Sequence, residues 1–224
     1  MIRDKEVDKQ QEQVKSKKRI ADHGEVFTNE REVNAMLDLV KQETERIDSR
    51  FLEPACGNGN FLAEVLKRKL NVVNQRYSKS QMEWERYAII SVSSIYGVDI
   101  LEDNVKECRE RLFNVFDKHY TAIFNDTCKY ECRRSINFLL DRNILNGNVI
   151  TMLKNNNEPI VFSEWSIVNI NMLKRREFKF SFLFTRRDRG EEPELFSDEG
   201  RSAHIPEPVK EFPSVHFLKL GKDD

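Results

Sequence analysis

Apolar residues recur along this chain with two different periods. At Val33, Met36, Leu37 and Val40 they fall three and four apart, on one face of a helix. Asn29 stands before that stretch and Glu32 follows three residues later, a pair that can cap a helix start from both directions. The spacing predicts a helix over about 30–46. Phe61, Leu62, Val65 and Leu66 repeat the pattern after Asn60. Val105, Cys108, Leu112 and Val115 repeat it behind Glu102 and Asp103, whose charges suit the positive end of a helix. Cys132, Ile136, Leu139 and Leu140 align a helix over about 129–141, and one more is expected over about 79–93. Short apolar runs sit between these helices: Phe51-Leu52-Glu53, Ile95 to Ile100, and Asn143 to Ile150. Strands that alternate with helices imply an α/β fold, a mostly parallel sheet covered by helices on both faces.

The pattern changes after residue 150. Ile160 to Val168 and Phe178 to Phe184 read as two β-segments, joined through the basic Lys174-Arg175-Arg176. Residues 185–213 mix charges with glycine and proline, a composition of irregular structure or a linker, and Ser214 to Leu220 fits a last short strand. The expected organisation is a polar leader at 1–19, one domain at 20–184 with C-terminal β-segments, and an irregular tail at 185–224. No internal repeat interrupts it.

Charge and cysteine usage narrow the chemistry. Lys plus Arg number 37 against 38 Asp plus Glu, so the chain as a whole is not a strongly basic DNA-binding module. Local basic clusters remain: Lys15, Lys17, Lys18 and Arg19; Lys174 to Arg176; and Arg186, Arg187 and Arg189. Each fits either phosphate contacts or a solvated face. The N-terminus is charged from its third residue, and no run approaches the ~20 apolar residues of a membrane span. A cytoplasmic protein with no membrane contact is expected. Cys56, Cys108, Cys128 and Cys132 form no Cys-x-x-Cys pair and the histidines lie far from them, so no metal is expected. Cys108 lies on a helical apolar stripe, where packing is its role.

The strongest chemical signal is Phe51-Leu52-Glu53-Pro54-Ala55-Cys56-Gly57-Asn58-Gly59-Asn60-Phe61-Leu62. A ligand lying over a strand end needs backbone free of side chains, and Gly57 and Gly59 supply it while tolerating positive φ. The helix that follows offers free N–H groups, and Glu53 can accept from a cationic amine or a water network. The third glycine of a dinucleotide fingerprint is missing, which disfavours NAD. Asp99 closes the second strand. It either accepts ribose hydroxyls or caps the following helix, and Ile100 beside it can pack on a base.

Gly24-Glu25-Val26-Phe27-Thr28, a helix, and then Phe51 to Leu62 together resemble the N-terminal part of adenine-N6 DNA methyltransferases. The likeness is to the restriction–modification type in which cofactor motifs precede the catalytic motif, and it covers residues 20–150. It implies a Rossmann-like class I methyltransferase core that binds S-adenosylmethionine. By resemblance, Phe27 and Thr28 meet the methionine end of the cofactor. Glu53, Ala55, Gly57 and Gly59 form the glycine loop, and Asp99 is the ribose acid. Asn148 stands where the family often places an acid near the adenine ring, and Asn29 replaces a usual proline.

A third departure is larger. The family's catalytic motif is Asn or Asp, Pro-Pro, then Tyr or Phe, and this chain has no Pro-Pro. Ser163-Glu164-Trp165 and Asn169-Ile170-Asn171 are weak substitutes. Trp165 can stack a flipped base, but burial is the commoner fate of a Trp in a strand pair. No catalytic residue is named. The chain also lacks an evident element for reading bases in a DNA groove. Three readings follow: a compact methyltransferase acting on DNA with another subunit supplying the missing parts, a non-catalytic subunit that binds a partner, or a methyltransferase for another acceptor.

Overall fold

The computed structural model describes residues 28–183 and 207–222. The leader at 1–19, Phe27 with Gly24 to Val26, and the charged stretch from 184 to 206 lie outside the described residues. The helices are α1 (Glu30–Asp38), α2 (Lys41–Thr44), α3 (Asn60–Tyr77), α4 (Gln81–Ser93), α5 (Glu102–Phe124) and α6 (Tyr130–Asn143). The strands are β1 (Phe51–Glu53), β2 (Ile95–Asp99), β3 (Ile144–Asn146), β4 (Val161–Asn169), β5 (Met172–Lys179), β6 (Lys210–Glu211) and β7 (Val215–His216). No helix among the described residues is long and apolar enough to cross a membrane.

The first three strands make a parallel sheet in the order β1-β2-β3, with Phe51 opposite Ile95 and Asp99 opposite Asn146. Two helices fill each crossover, α3 and α4 before β2, α5 and α6 after it, and all four touch β2. Every residue of β2 is buried, which explains why Ile95-Tyr96-Gly97-Val98 carries no polar alternation. The fold is therefore α/β around a small parallel sheet whose three strands fall within the three runs the sequence offered. The run from Asn143 to Ile150 contributes only Ile144–Asn146 to it. Beyond Asn146, Gly147 donates its N–H to the Asp99 carbonyl, and Asn148 starts a turn.

The predicted first helix is shorter than its apolar pattern. Asn29 caps α1 by accepting from the Arg31 N–H at 2.9 Å, but α1 ends at Asp38 and α2 follows. Val33 and Leu37 are buried, whereas Met36 stays 54% exposed within α1 and Val40, beyond the break at Leu39, 45%. In α5 the stripe continues from Val105, Cys108 and Leu112 to Phe116 and Tyr120 rather than Val115. A 23-residue helix outruns the template drawn from its first half.

Two polar side chains hold the N-terminal end of the sheet. Lys69 is fully buried, and its Nζ donates to the Ile47 carbonyl at 3.1 Å, to the Ser49 carbonyl, and to Ser94 Oγ at 2.6 Å. Asn143 Nδ2 donates to the Ser93 and Ile95 carbonyls at 3.2 and 3.1 Å, while its Oδ1 accepts from Trp165 Nε1 at 2.9 Å.

That last bond fastens the second sheet to the first. β4 and β5 form an antiparallel hairpin with Val161 opposite Lys179 and Asn169 opposite Met172. The sequence placed Lys174-Arg175-Arg176 in a connection, but they lie inside β5, and the turn falls at Ile170-Asn171. Neighbouring groups make basic residues tolerable there. Arg175 lies 3.5 Å over the Phe212 ring and 5.9 Å over Trp165. Arg176 pairs with Glu164 at 3.0 Å, and Lys174 with Glu211 at 2.6 Å. The expected second segment, Phe178 to Phe184, starts instead at Met172 and turns into a 3-10 helix at Phe180–Leu183.

An irregular tail was expected over 185–224, but residues 207–222 fold onto this body. β6 and β7 both pair with β5, and Phe217 and Leu220 join the main core with Trp165 and Leu173.

Candidate functional site

The parallel register brings the C-terminal ends of β1, β2 and β3 side by side. Glu53 closes β1, Asp99 closes β2, and Asn146 closes β3. The glycine loop runs from Glu53 to the start of α3. Its position is set by backbone bonds: the Cys56 N–H donates to the Val98 carbonyl at 2.9 Å, and the Ala63 N–H to the Gly59 carbonyl at 2.8 Å.

The two loop glycines do different work. Both are left-handed, Gly57 at φ 51° and Gly59 at φ 84°. A Cβ on Gly57 would meet nothing within 4 Å, so that backbone faces open space. A Cβ on Gly59 would lie 2.6 Å from Cys108 Sγ and 3.2 Å from its Cα, so that glycine lets the loop lie against α5. Gly59 also starts α3 with no side-chain cap and no acidic residue in the first turn. The positive end of α3 thus faces the loop without a protein counter-charge from its own turn.

Asp99 ties the loop to the neighbouring strand. Its Oδ2 accepts from the Gly57 N–H at 2.9 Å. Its Oδ1 accepts from the Leu101 N–H at 2.9 Å and from Asn104 Nδ2 at 3.3 Å. It is 8% exposed. The capping role weighed from the sequence is not met, since α5 starts at Leu101 without a side-chain cap; the carboxylate instead braces the turn before α5 and touches the glycine loop. Sequence reasoning missed Asn104, a buried amide on the first turn of α5, and Asn146, whose Nδ2 donates to the Asp99 and Ile100 carbonyls at 3.1 and 3.0 Å. A polar residue inside an apolar stripe, as Asn104 is beside Val105, was the available signal.

Glu53 is half-buried and has no ion-pair partner among the described residues. Burial raises its carboxyl pKa above the usual carboxylate range, against the lowering effect of a backbone hydrogen bond at Ala55. A carboxylate in that state gains from a cation. Cys56 is of the opposite kind. A hydrogen bond with Cys108 and burial push its thiol pKa far up, so it packs as an inert thiol.

Ala55 is exposed on the loop, and Ile100 is 48% exposed beside Asp99. Asn148 turns its Oδ1 into its own chain, accepting from the Ile150 N–H at 2.9 Å. Thr28 makes no contact with this group among the bonds of the described residues. It precedes the cap of α1, and α1 meets α3 through Lys67 and Arg68, about two turns along from Gly59. Among the described residues, no cluster of three His, Cys, Asp or Glu is arranged to hold a metal ion. The weak catalytic candidates are committed elsewhere. Glu164 pairs with Arg50 and Arg176, Trp165 is buried, and Asn169 Oδ1 accepts from the Asn171 N–H in the hairpin turn.

No protein-family model, curated protein or solved structure matches the chain.

Proposed function

We propose that the chain is an S-adenosylmethionine-binding, Rossmann-like methyltransferase-type protein, acting on DNA adenine where it is active. The observation that carries this reading is the 2.9 Å bond from the Gly57 N–H to Asp99 Oδ2. It sets an acid and a side-chain-free loop against each other at adjacent strand ends, where α/β sheets take nucleotide ligands. The residues present fit the cofactor group by group. Glu53 offers an unpaired carboxylate to its ammonium, Gly57 opens on free space, and Ile100 offers an exposed apolar side chain to its base. Bound there, S-adenosylmethionine would supply a sulfonium-activated methyl group. The adenine-N6 and restriction–modification assignment rests on the resemblance of Gly24 to Thr28 and Phe51 to Leu62, and the acceptor would be a base flipped from DNA.

The experiment is a calorimetric titration of the full chain with S-adenosylmethionine, beside Asp99→Ala. Saturable binding that weakens at least about tenfold in the variant is expected. Absence of binding by the intact chain would sink the cofactor reading.

A second reading has its own observation. In parallel pairing, alternate residues bond to opposite sides, and the Phe51 N–H donates across to Ser94. The Leu52 backbone therefore points away from β2, and Leu52 is 40% exposed at a sheet edge with no strand beyond it among the described residues. The other edge is closed by Arg109, which donates from Nε and Nη2 to the Ile144 carbonyl at 3.0 and 2.6 Å. With no Pro-Pro motif, the chain then works as a subunit whose partner adds to the β1 edge. Methyl transfer to DNA by the chain alone, traced with labelled cofactor, would exclude this second reading.

A further inference from the structure

We infer that Asp99 takes only one ribose hydroxyl of an adenosine-type ligand, not both; this rests on the cofactor reading above. An ionised carboxylate offers about four acceptor sites, two on each oxygen. Among the described residues, Oδ1 already holds two donors, the Leu101 N–H and Asn104 Nδ2, and Oδ2 holds one, the Gly57 N–H. One site remains, on Oδ2. The three donors are not incidental. Leu101 and Asn104 belong to the start of α5, and the Gly57 bond fixes the loop itself. Breaking any of them to admit a second hydroxyl would release the structure that forms the site. At 8% exposure the carboxylate also cannot turn outward to present both oxygens. Asp99 therefore discriminates one hydroxyl of the ribose from its neighbour, with Gly57 as the second guide of the ligand. The other hydroxyl is left to solvent.

The test compares S-adenosylhomocysteine with its 2′-deoxy and 3′-deoxy analogues by calorimetry on the full chain. One analogue should lose affinity by about tenfold or more, as a hydrogen bond to a charged acceptor implies, and the other by less than about threefold. Comparable losses for both would overturn the inference, because they require both hydroxyls on the acid. Unchanged affinity for both would overturn it too, since Asp99 would then hold no ribose. If S-adenosylhomocysteine itself fails to bind, the cofactor reading falls, and this inference falls with it.

Discussion

At the N-terminal end of the parallel sheet, Lys69 is fully buried and donates to three oxygens, and Asn143 uses both ends of its amide. At the C-terminal end, Glu53 is half-buried without an ion-pair partner among the described residues, two glycines are left-handed, and Asp99 keeps one acceptor site open. Both ends carry polar groups under the surface. The first spends its hydrogen-bonding capacity inside the protein, and the second holds some back. Unused capacity beside a side-chain-free loop is what a ligand needs, whereas saturated capacity is what a fold needs. The difference separates residues whose loss should unfold the chain from residues whose loss should empty the site.

The largest test of that contrast is Lys69→Met. It takes the side-chain donor from the Ser49 carbonyl and leaves the Ile47 carbonyl only the 3.4 Å bond from Ser94 Oγ, and should cost about 3 kcal/mol in urea unfolding. Burial lowers the Lys69 pKa to about 7, while the unfolded chain keeps that proton up to about pH 10.4. Burying the cation is thus a cost at low pH that fades as the native state releases its proton. Stability should rise with pH between about 7 and 10, by up to about 1.4 kcal/mol per unit. The rise should vanish in Lys69→Met. A flat wild-type profile would contradict it.

Next come the two glycines. Gly59→Ala forces both a left-handed alanine and a clash with α5, and should cost about 2–3 kcal/mol. Gly57→Ala meets only the backbone strain, about 1 kcal/mol, but places a methyl where the ligand backbone contact is expected. Thermal unfolding should therefore separate them in one order and cofactor titration in the other. Equal losses on both scales would erase the distinction. The smallest effect belongs to Glu53. Because burial raises its pKa, its carboxylate is lost earlier on acidification than an ordinary glutamate's, so cofactor affinity should begin to fall at a correspondingly higher pH. An affinity profile identical to that of Glu53→Gln would remove it from the site.

Much of the second end was legible in the residues, and little of the first. Gly57, Gly59 and Asp99 announce themselves because glycines between a strand and a helix, and an acid closing a strand, are local patterns. Lys69 and Asn143 do not, since their meaning depends on carbonyls 22 and 50 residues away. Lys69 left one trace, a cation on the apolar stripe that runs from Leu62 through Val65 and Leu66 to Val73. Arg175 misled for the same reason. Its place inside β5 depends on rings at Phe138, Trp165 and Phe212, and a run of three basic residues alone reads as solvated. Local pattern reports what a segment is. It does not report what a distant carbonyl or ring makes tolerable.

The strand order β1-β2-β3 is also the order of the chain. During synthesis each new strand meets an edge already exposed, and none has to wedge between two that have paired. The glycine loop and Asp99 come into register as soon as β2 zips onto β1, while the hairpin is still unmade. Once α5 has left the ribosome, both arms of the cradle are already outside it.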